Sequence, residues 1–230
     1  MAVLKAEHVF KSHLTPDHSL RDVSLAIDAG EFVVVSDPTG SRAASLLRIC
    51  GLLDKPDAGE VFVNGTATAS LPETDRARLQ HRQIGLVFPF SQLAPALSVL
   101  DNIAGPLRND PESTTSAITW AEMMAERMGL EDRMNALPAV LSPDEMLRAS
   151  IARAIIHSPS LLIADESVFP ASATSAQRLQ HLLTNLNREL RLAMLLATSD
   201  PARISTPHRL VTMENGKILQ DMPLARNPSR

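Results

Sequence analysis

Glycine is scarce. The 230 residues include 9, about half the usual ~7%, and none lies between Gly129 and Gly216. A chain that wraps its backbone closely around phosphate groups should not be short of the residue that makes close approach possible. Cysteine is scarcer still. Cys50 is the single one, which excludes an intrachain disulfide framework and a cysteine-rich zinc site. It sits in the apolar run Leu46-Leu47-Arg48-Ile49-Cys50 and is read as a small buried hydrophobe. No apolar run approaches the 18 residues needed to span a bilayer, and the first residues lack the apolar core of a signal peptide. Excess positive charge is also missing: 22 Lys+Arg against 26 Asp+Glu leave a net charge of -4, so composition does not point to nucleic acid. With 44% hydrophobic and 21% charged residues, the chain can bury a sizeable core as one large domain. The expected setting is soluble and cytoplasmic.

Short apolar runs alternate with helical patterns. Strands are expected at 3–10, 19–27, 31–36, 60–64, 84–88, 161–165, 193–198 and 208–213. The last of these enters a turn at Glu214-Asn215-Gly216-Lys217 and returns through Ile218-Leu219, as a hairpin. Residues 99–158 read as helical, with one helix over 114–129 ending at Gly129. Ala176, Leu179, Leu183, Leu186 and Leu190 recur at helical spacing before the strand at 193. The residues after Asp221 are expected to form a loose tail.

The run Ile151-Ala152-Arg153-Ala154-Ile155-Ile156-His157-Ser158-Pro159-Ser160 leads into Leu161-Leu162-Ile163-Ala164-Asp165-Glu166. This resembles the helix and the acidic strand end of ATP-binding-cassette (ABC) transporter ATPases. The segment from Gly51 to Val61, the strand end Leu86-Val87-Phe88, and Leu97-Ser98-Val99-Leu100-Asp101-Asn102-Ile103 are similar to further parts of that family. The likeness covers roughly residues 3–220 and is greatest to the lipoprotein-release and macrolide-exporter subgroup. It implies an α/β fold: a P-loop NTPase-like core with an antiparallel β subdomain and a helical insertion. One cassette domain is then expected, with core and β subdomain at 1–88 and 158–221, a helical subdomain at about 89–157 and a tail at 222–230. The family binds ATP and Mg between two cassettes, one supplying the phosphate loop and acids, the other a signature motif.

The phosphate-loop slot reads Asp37-Pro38-Thr39-Gly40-Ser41-Arg42-Ala43-Ala44-Ser45. A working loop has G-x-x-G-x-G-K-[ST]-[ST], because its glycines let N–H groups close on phosphate, its lysine neutralises charge and its hydroxyl holds magnesium. Only Gly40 matches a glycine. Asp37 and Arg42 replace the other two, Ala43 replaces the lysine and Ala44 the magnesium hydroxyl. Each lost charged hydrogen bond costs about 1.5–3 kcal/mol, so tight triphosphate binding is not expected. Two readings of the loop stand side by side. In one, Asp37 or a neighbour fills the nest meant for phosphate; in the other, these are ordinary loop residues.

The signature slot carries Leu141-Ser142-Pro143-Asp144-Glu145 where the family has L-S-G-G-Q. Ser142 suits an N-cap, Pro143 the first helical position, and Glu145 completes a Ser-x-x-Glu capping box. This reads as a self-contained helix start. Asp165 and Glu166 retain the family's acids for magnesium and water, so Glu166 is the vestigial catalytic candidate. Ser199 occupies the slot of the family's histidine, and Pro89 that of its glutamine, with Gln92 three residues on. His13 falls where an aromatic stacks on adenine, and is read as a surface residue.

The family receives its membrane subunit in a cleft at the start of the helical insertion. By resemblance the docking candidates are Phe88, Pro89, Phe90, Gln92, Leu93 and Leu97. Three functions compete: a pseudo-ATPase docking subunit of a membrane transporter, a slow ATPase using Arg42, Asp165 and Glu166, and a soluble regulator. The first is preferred. Its expected partners are integral membrane transporter subunits and a second cassette, identical or not, on the inner face of the cytoplasmic membrane, without nucleic acid.

Overall fold

The computed structural model describes residues 2–13, 18–89, 93–108, 116–165, 173–204 and 207–224. Two sheets organise them. The first is antiparallel, in the order β2-β1-β4-β5, from β1 (Ala2–Lys11), β2 (Leu20–Asp28), β4 (Ala58–Val63) and β5 (Thr66–Ala67). The second runs β10-β9-β3-β8-β7-β6. It contains β3 (Phe32–Ser36), β6 (Ile84–Val87), β7 (Leu161–Asp165), β8 (Ala193–Thr198), β9 (Arg209–Glu214) and β10 (Lys217–Pro223). All its pairs are parallel except the β9–β10 hairpin at one edge.

The central strands are apolar throughout because both faces are covered. Every residue of β3 and β8 is buried. Since side chains alternate along a strand, each strand feeds two cores. Phe32, Val34, Leu162, Ala164, Met194 and Leu196 join one cluster. Val33, Val35, Leu161, Ile163, Ala193, Leu195 and Ala197 join the other. The first cluster takes in α3 (Val99–Arg108), α4 (Ala117–Arg127), α5 (Pro143–Ile155) and α6 (Ala173–Leu190). The second is shared with α1 (Ser41–Cys50) and the antiparallel sheet.

Among the described residues, the two-residue β5 and α2 (Glu73–Gln83) lie outside the sequence expectations. Helix α2 buries only Arg76, so it carries no apolar stripe. Leu79 is partly buried against the second core, and the rest of the helix docks by polar reach. Arg76 Nη1 donates to the Leu52 carbonyl at 3.0 Å and Gln80 Nε2 to the Gly51 carbonyl at 2.6 Å. These are carbonyls at the end of α1, where a helix leaves acceptors without internal partners. At the chain's other end β10 continues through Met222 and Pro223, paired with Leu210 and Arg209. The residues just after Asp221 are therefore strand, held there by ladder hydrogen bonds. The backbone of β1 and β4 approaches so closely at Gly59 (φ 90°) that a Cβ would stand 2.2 Å from the His8 carbonyl oxygen.

Candidate functional site

Several of the candidate slots follow the carboxyl ends of neighbouring parallel strands, while the signature slot begins α5. Ser36 ends β3 opposite Thr198, which ends β8, and Asp165 ends β7 opposite Ala197. Phe88 and Pro89 follow β6. The carboxyl ends of parallel strands form the crevice where such sheets hold ligands.

Asp37 leaves β3 with its amide bonded to the Thr198 carbonyl at 3.1 Å, and the residue is 0% exposed. Its carboxylate turns inward onto the loop. It accepts from the amides of Thr39 (3.1 Å), Arg42 (2.8 Å) and Ala43 (3.3 Å), and from the Thr39 hydroxyl at 2.9 Å. The Arg42 guanidinium lies 3.8 Å away. Two more amides are satisfied within the loop, Gly40 by the Asp37 carbonyl and Ala44 by the Gly40 carbonyl. Gly40, at φ 71° in the left-handed region, makes the turn. Helix α1 thus begins with its first donors spent on a carboxylate from its own chain, a favourable placement at the positive helix end. Of the two readings of this loop, the occupied nest matches the geometry. Ser41 Oγ lies 3.1 Å from Thr39 Oγ1. Ser45 Oγ donates to the Ser41 carbonyl and lies 3.5 Å from His13 Nε2, whose ring neighbours His18 at 5.8 Å. His13 is half-buried against the loop rather than a surface residue.

Helix α5 begins as the sequence suggests. The Ser142 hydroxyl accepts from the Glu145 amide at 3.2 Å, Glu145 Oε2 accepts from the Ser142 amide at 2.8 Å, and Pro143 holds the first turn. A further partner had no sequence signal. Arg133 Nε donates to Glu145 Oε1 at 2.7 Å, twelve residues away. The Ser142 amide first, and then Arg133, hold the Glu145 carboxyl down at about 2. Asp144 is bridged by Arg148 at 3.0 Å. Arg148 Nη1 also donates to the carbonyls of Met128 and Gly129 at 2.5 and 2.7 Å, tying the α5 start to the end of α4. Leu141 closes the preceding turn and is buried at 9%.

Asp165 is half-buried at the end of β7, and Ser199 is exposed just after β8. Glu166, Phe90 and Gln92 lie outside the described residues. Phe88 and Leu93 belong to the two cores, at 4% and 5% exposure, whereas Leu97 is 44% exposed and Pro89 is also at the surface. The turn carrying Leu97 is built by Asn102. Its Nδ2 donates to the carbonyls of Ala94, Leu97 and Ser98, and its Oδ1 accepts from the Ala94 amide at 2.6 Å. Among the described residues no group of three or more His, Cys, Asp or Glu could hold a metal ion. Among them, too, no helix is long and apolar enough to cross a membrane.

Comparison with known proteins agrees with this architecture. The family model of the ABC transporter matches residues 20–168. The lipoprotein-releasing system ATP-binding protein LolD of Bordetella pertussis is 36% identical over 221 residues, covering 95% of this chain and 96% of that protein. The ABC transporter ATP-binding protein YxdL of Bacillus subtilis is 30% identical over 227 residues, covering 98% and 88%. Among solved structures, the dimeric post-hydrolysis state of the ATP-binding cassette MJ0796 bound to ADP and Pi superposes with a TM-score of 0.86. The identity is 27%, over 97% of this chain and 99% of that one. Fold and relatives agree along nearly the whole length, and the chain belongs to the ABC transporter ATPase family.

Proposed function

We propose that this chain is a docking cassette of a membrane transporter complex and that it turns over ATP little or not at all. The observation that carries the reading is the buried Asp37 carboxylate on the amides of Thr39, Arg42 and Ala43. The residues present fit Mg–ATP poorly. A triphosphate would have to displace that carboxylate, and Ala43 and Ala44 offer neither a lysine nor a magnesium hydroxyl. At the second half-site, Ser142, Pro143 and Glu145 serve the start of α5 themselves. Fold and cores persist around both altered sites, which supports a retained assembly role.

The partners under this reading are integral membrane subunits and a second cassette, either another copy or a related chain. The protein then sits peripherally on the inner face of the cytoplasmic membrane. The exposed Leu97 and Pro89 supply the docking surface, while Phe88 and Leu93 support it from the core. The likeness to LolD makes lipoprotein release the model for the transporter type.

Nucleotide titration tests the reading. The wild-type chain is compared with a fourfold repair, Asp37→Gly, Arg42→Gly, Ala43→Lys and Ala44→Ser. Mg–ATP is expected to bind the repaired chain and leave the wild type unsaturated in the micromolar range. Micromolar binding by the wild type, or turnover abolished by Glu166→Gln, would overturn it.

A further inference from the structure

The phosphate loop is folded, although its lysine and two of its glycines are gone. We infer that the Asp37 carboxylate is a tethered anion that holds the loop in its anion-bound shape and excludes free phosphate from it. This rests on the docking-cassette reading and adds how the loop is kept shut. The side chain is 1% exposed. It takes three backbone donors and one hydroxyl, drawn from both sides of the Gly40 turn. Those amides belong to the backbone, so they survive any change at position 37. Without the carboxylate, the amides of Thr39, Arg42 and Ala43 lose the acceptor they share at the positive end of α1. Buried donors in that position demand one.

The inference separates what Asp37 does by charge and shape from what it does by being attached. If attachment is its only special property, a free oxyanion of similar charge replaces it once the side chain is shortened. Asp37→Ala and Asp37→Ser open the nest. Asp37→Asn keeps it filled.

The experiment follows thermal unfolding of the full chain and these three variants in chloride buffer, with inorganic phosphate added in increasing amounts. Asp37→Ala and Asp37→Ser are expected to unfold about 4–10 °C below wild type and to recover at least half of that loss as phosphate saturates. The wild type and Asp37→Asn are expected to move by less than about 1 °C over the same range. A wild type that gains as much as the opened variants overturns the inference, because the nest would then not be closed. So does an absence of recovery in both opened variants, including failure of both to fold in phosphate buffer. Nucleotide binding by the wild type is read separately, so the docking-cassette reading and this one fail on different measurements.

Discussion

The Asp37 carboxylate accepts a 2.8 Å hydrogen bond from the backbone amide of Arg42, five residues further along the chain. The bond uses the main chain of Arg42, so replacing its side chain leaves the contact in place. Under the proposed reading, Asp37 therefore controls access to the loop before Arg42 or Ala43 does.

Repair of nucleotide binding should accordingly depend on order. Ala43→Lys alone is expected to leave Mg–ATP binding undetectable in calorimetric titration, because the new ammonium meets a loop already filled. Adding Asp37→Gly removes a carboxylate that would stand near a phosphate charge. At ~4 Å and an effective dielectric near 20 that repulsion reaches ~4 kcal/mol, up to about a thousandfold in affinity. Equal affinity with and without the Asp37 change would contradict the assignment.

Asn102 is 3% exposed and spends its amide on three carbonyls. Asn102→Ala takes the side-chain partner from the Leu97 carbonyl and the Ala94 amide, while the Ala94 and Ser98 carbonyls keep the amides of Leu97 and Asn102; it should cost about 3 kcal/mol. In a chain of this size the loss appears as a drop of roughly 6–12 °C in thermal unfolding. A midpoint within about 2 °C of wild type would show that the turn before α3 is held by other contacts.

The α5 cap depends on pH. Glu145 is held at about 2 against an ordinary 4.5. A lowered carboxyl stabilises the fold fully above its unfolded value and loses that contribution as pH falls through the folded one. Glu145→Ala should cost about 1 kcal/mol at neutral pH. Urea midpoints of the two proteins should converge as pH is lowered from about 4.5 towards 2. A constant gap across that range would remove the charge from the explanation.

Arg148→Lys tests the link between α4 and α5. The arginine reaches two carbonyls and Asp144 at once through its planar fork, and an ammonium cannot reproduce that geometry. A loss of about 1–2 kcal/mol is expected in denaturant unfolding, accompanied by faster amide exchange at the end of α4. Unchanged exchange there would place the effect elsewhere.

The strands and α6 were legible because their apolar residues follow the period of the element that buries them. The α5 cap was legible because its partners are three residues apart. Helix α2 was not, since one leucine, Leu79, meets the core and Arg76 and Gln80 dock the rest through polar ends, which leaves no apolar stripe. Arg133 was equally silent: its bond to Glu145 bridges twelve residues across two turns. Apolarity alone also did not separate Phe88 and Leu93 in the cores from Leu97 at the surface. That distinction depends on the turn Asn102 builds, which is a matter of which carbonyls face inward.

An anion carried on the loop it fills is never diluted. Attached groups act at effective concentrations that free solutes do not reach. Under the proposed reading, the occupancy of the Asp37 nest is set by chain geometry and not by how much phosphate or nucleotide surrounds the protein. On the same reading, a loop that is filled from within keeps one shape whether nucleotide is plentiful or scarce.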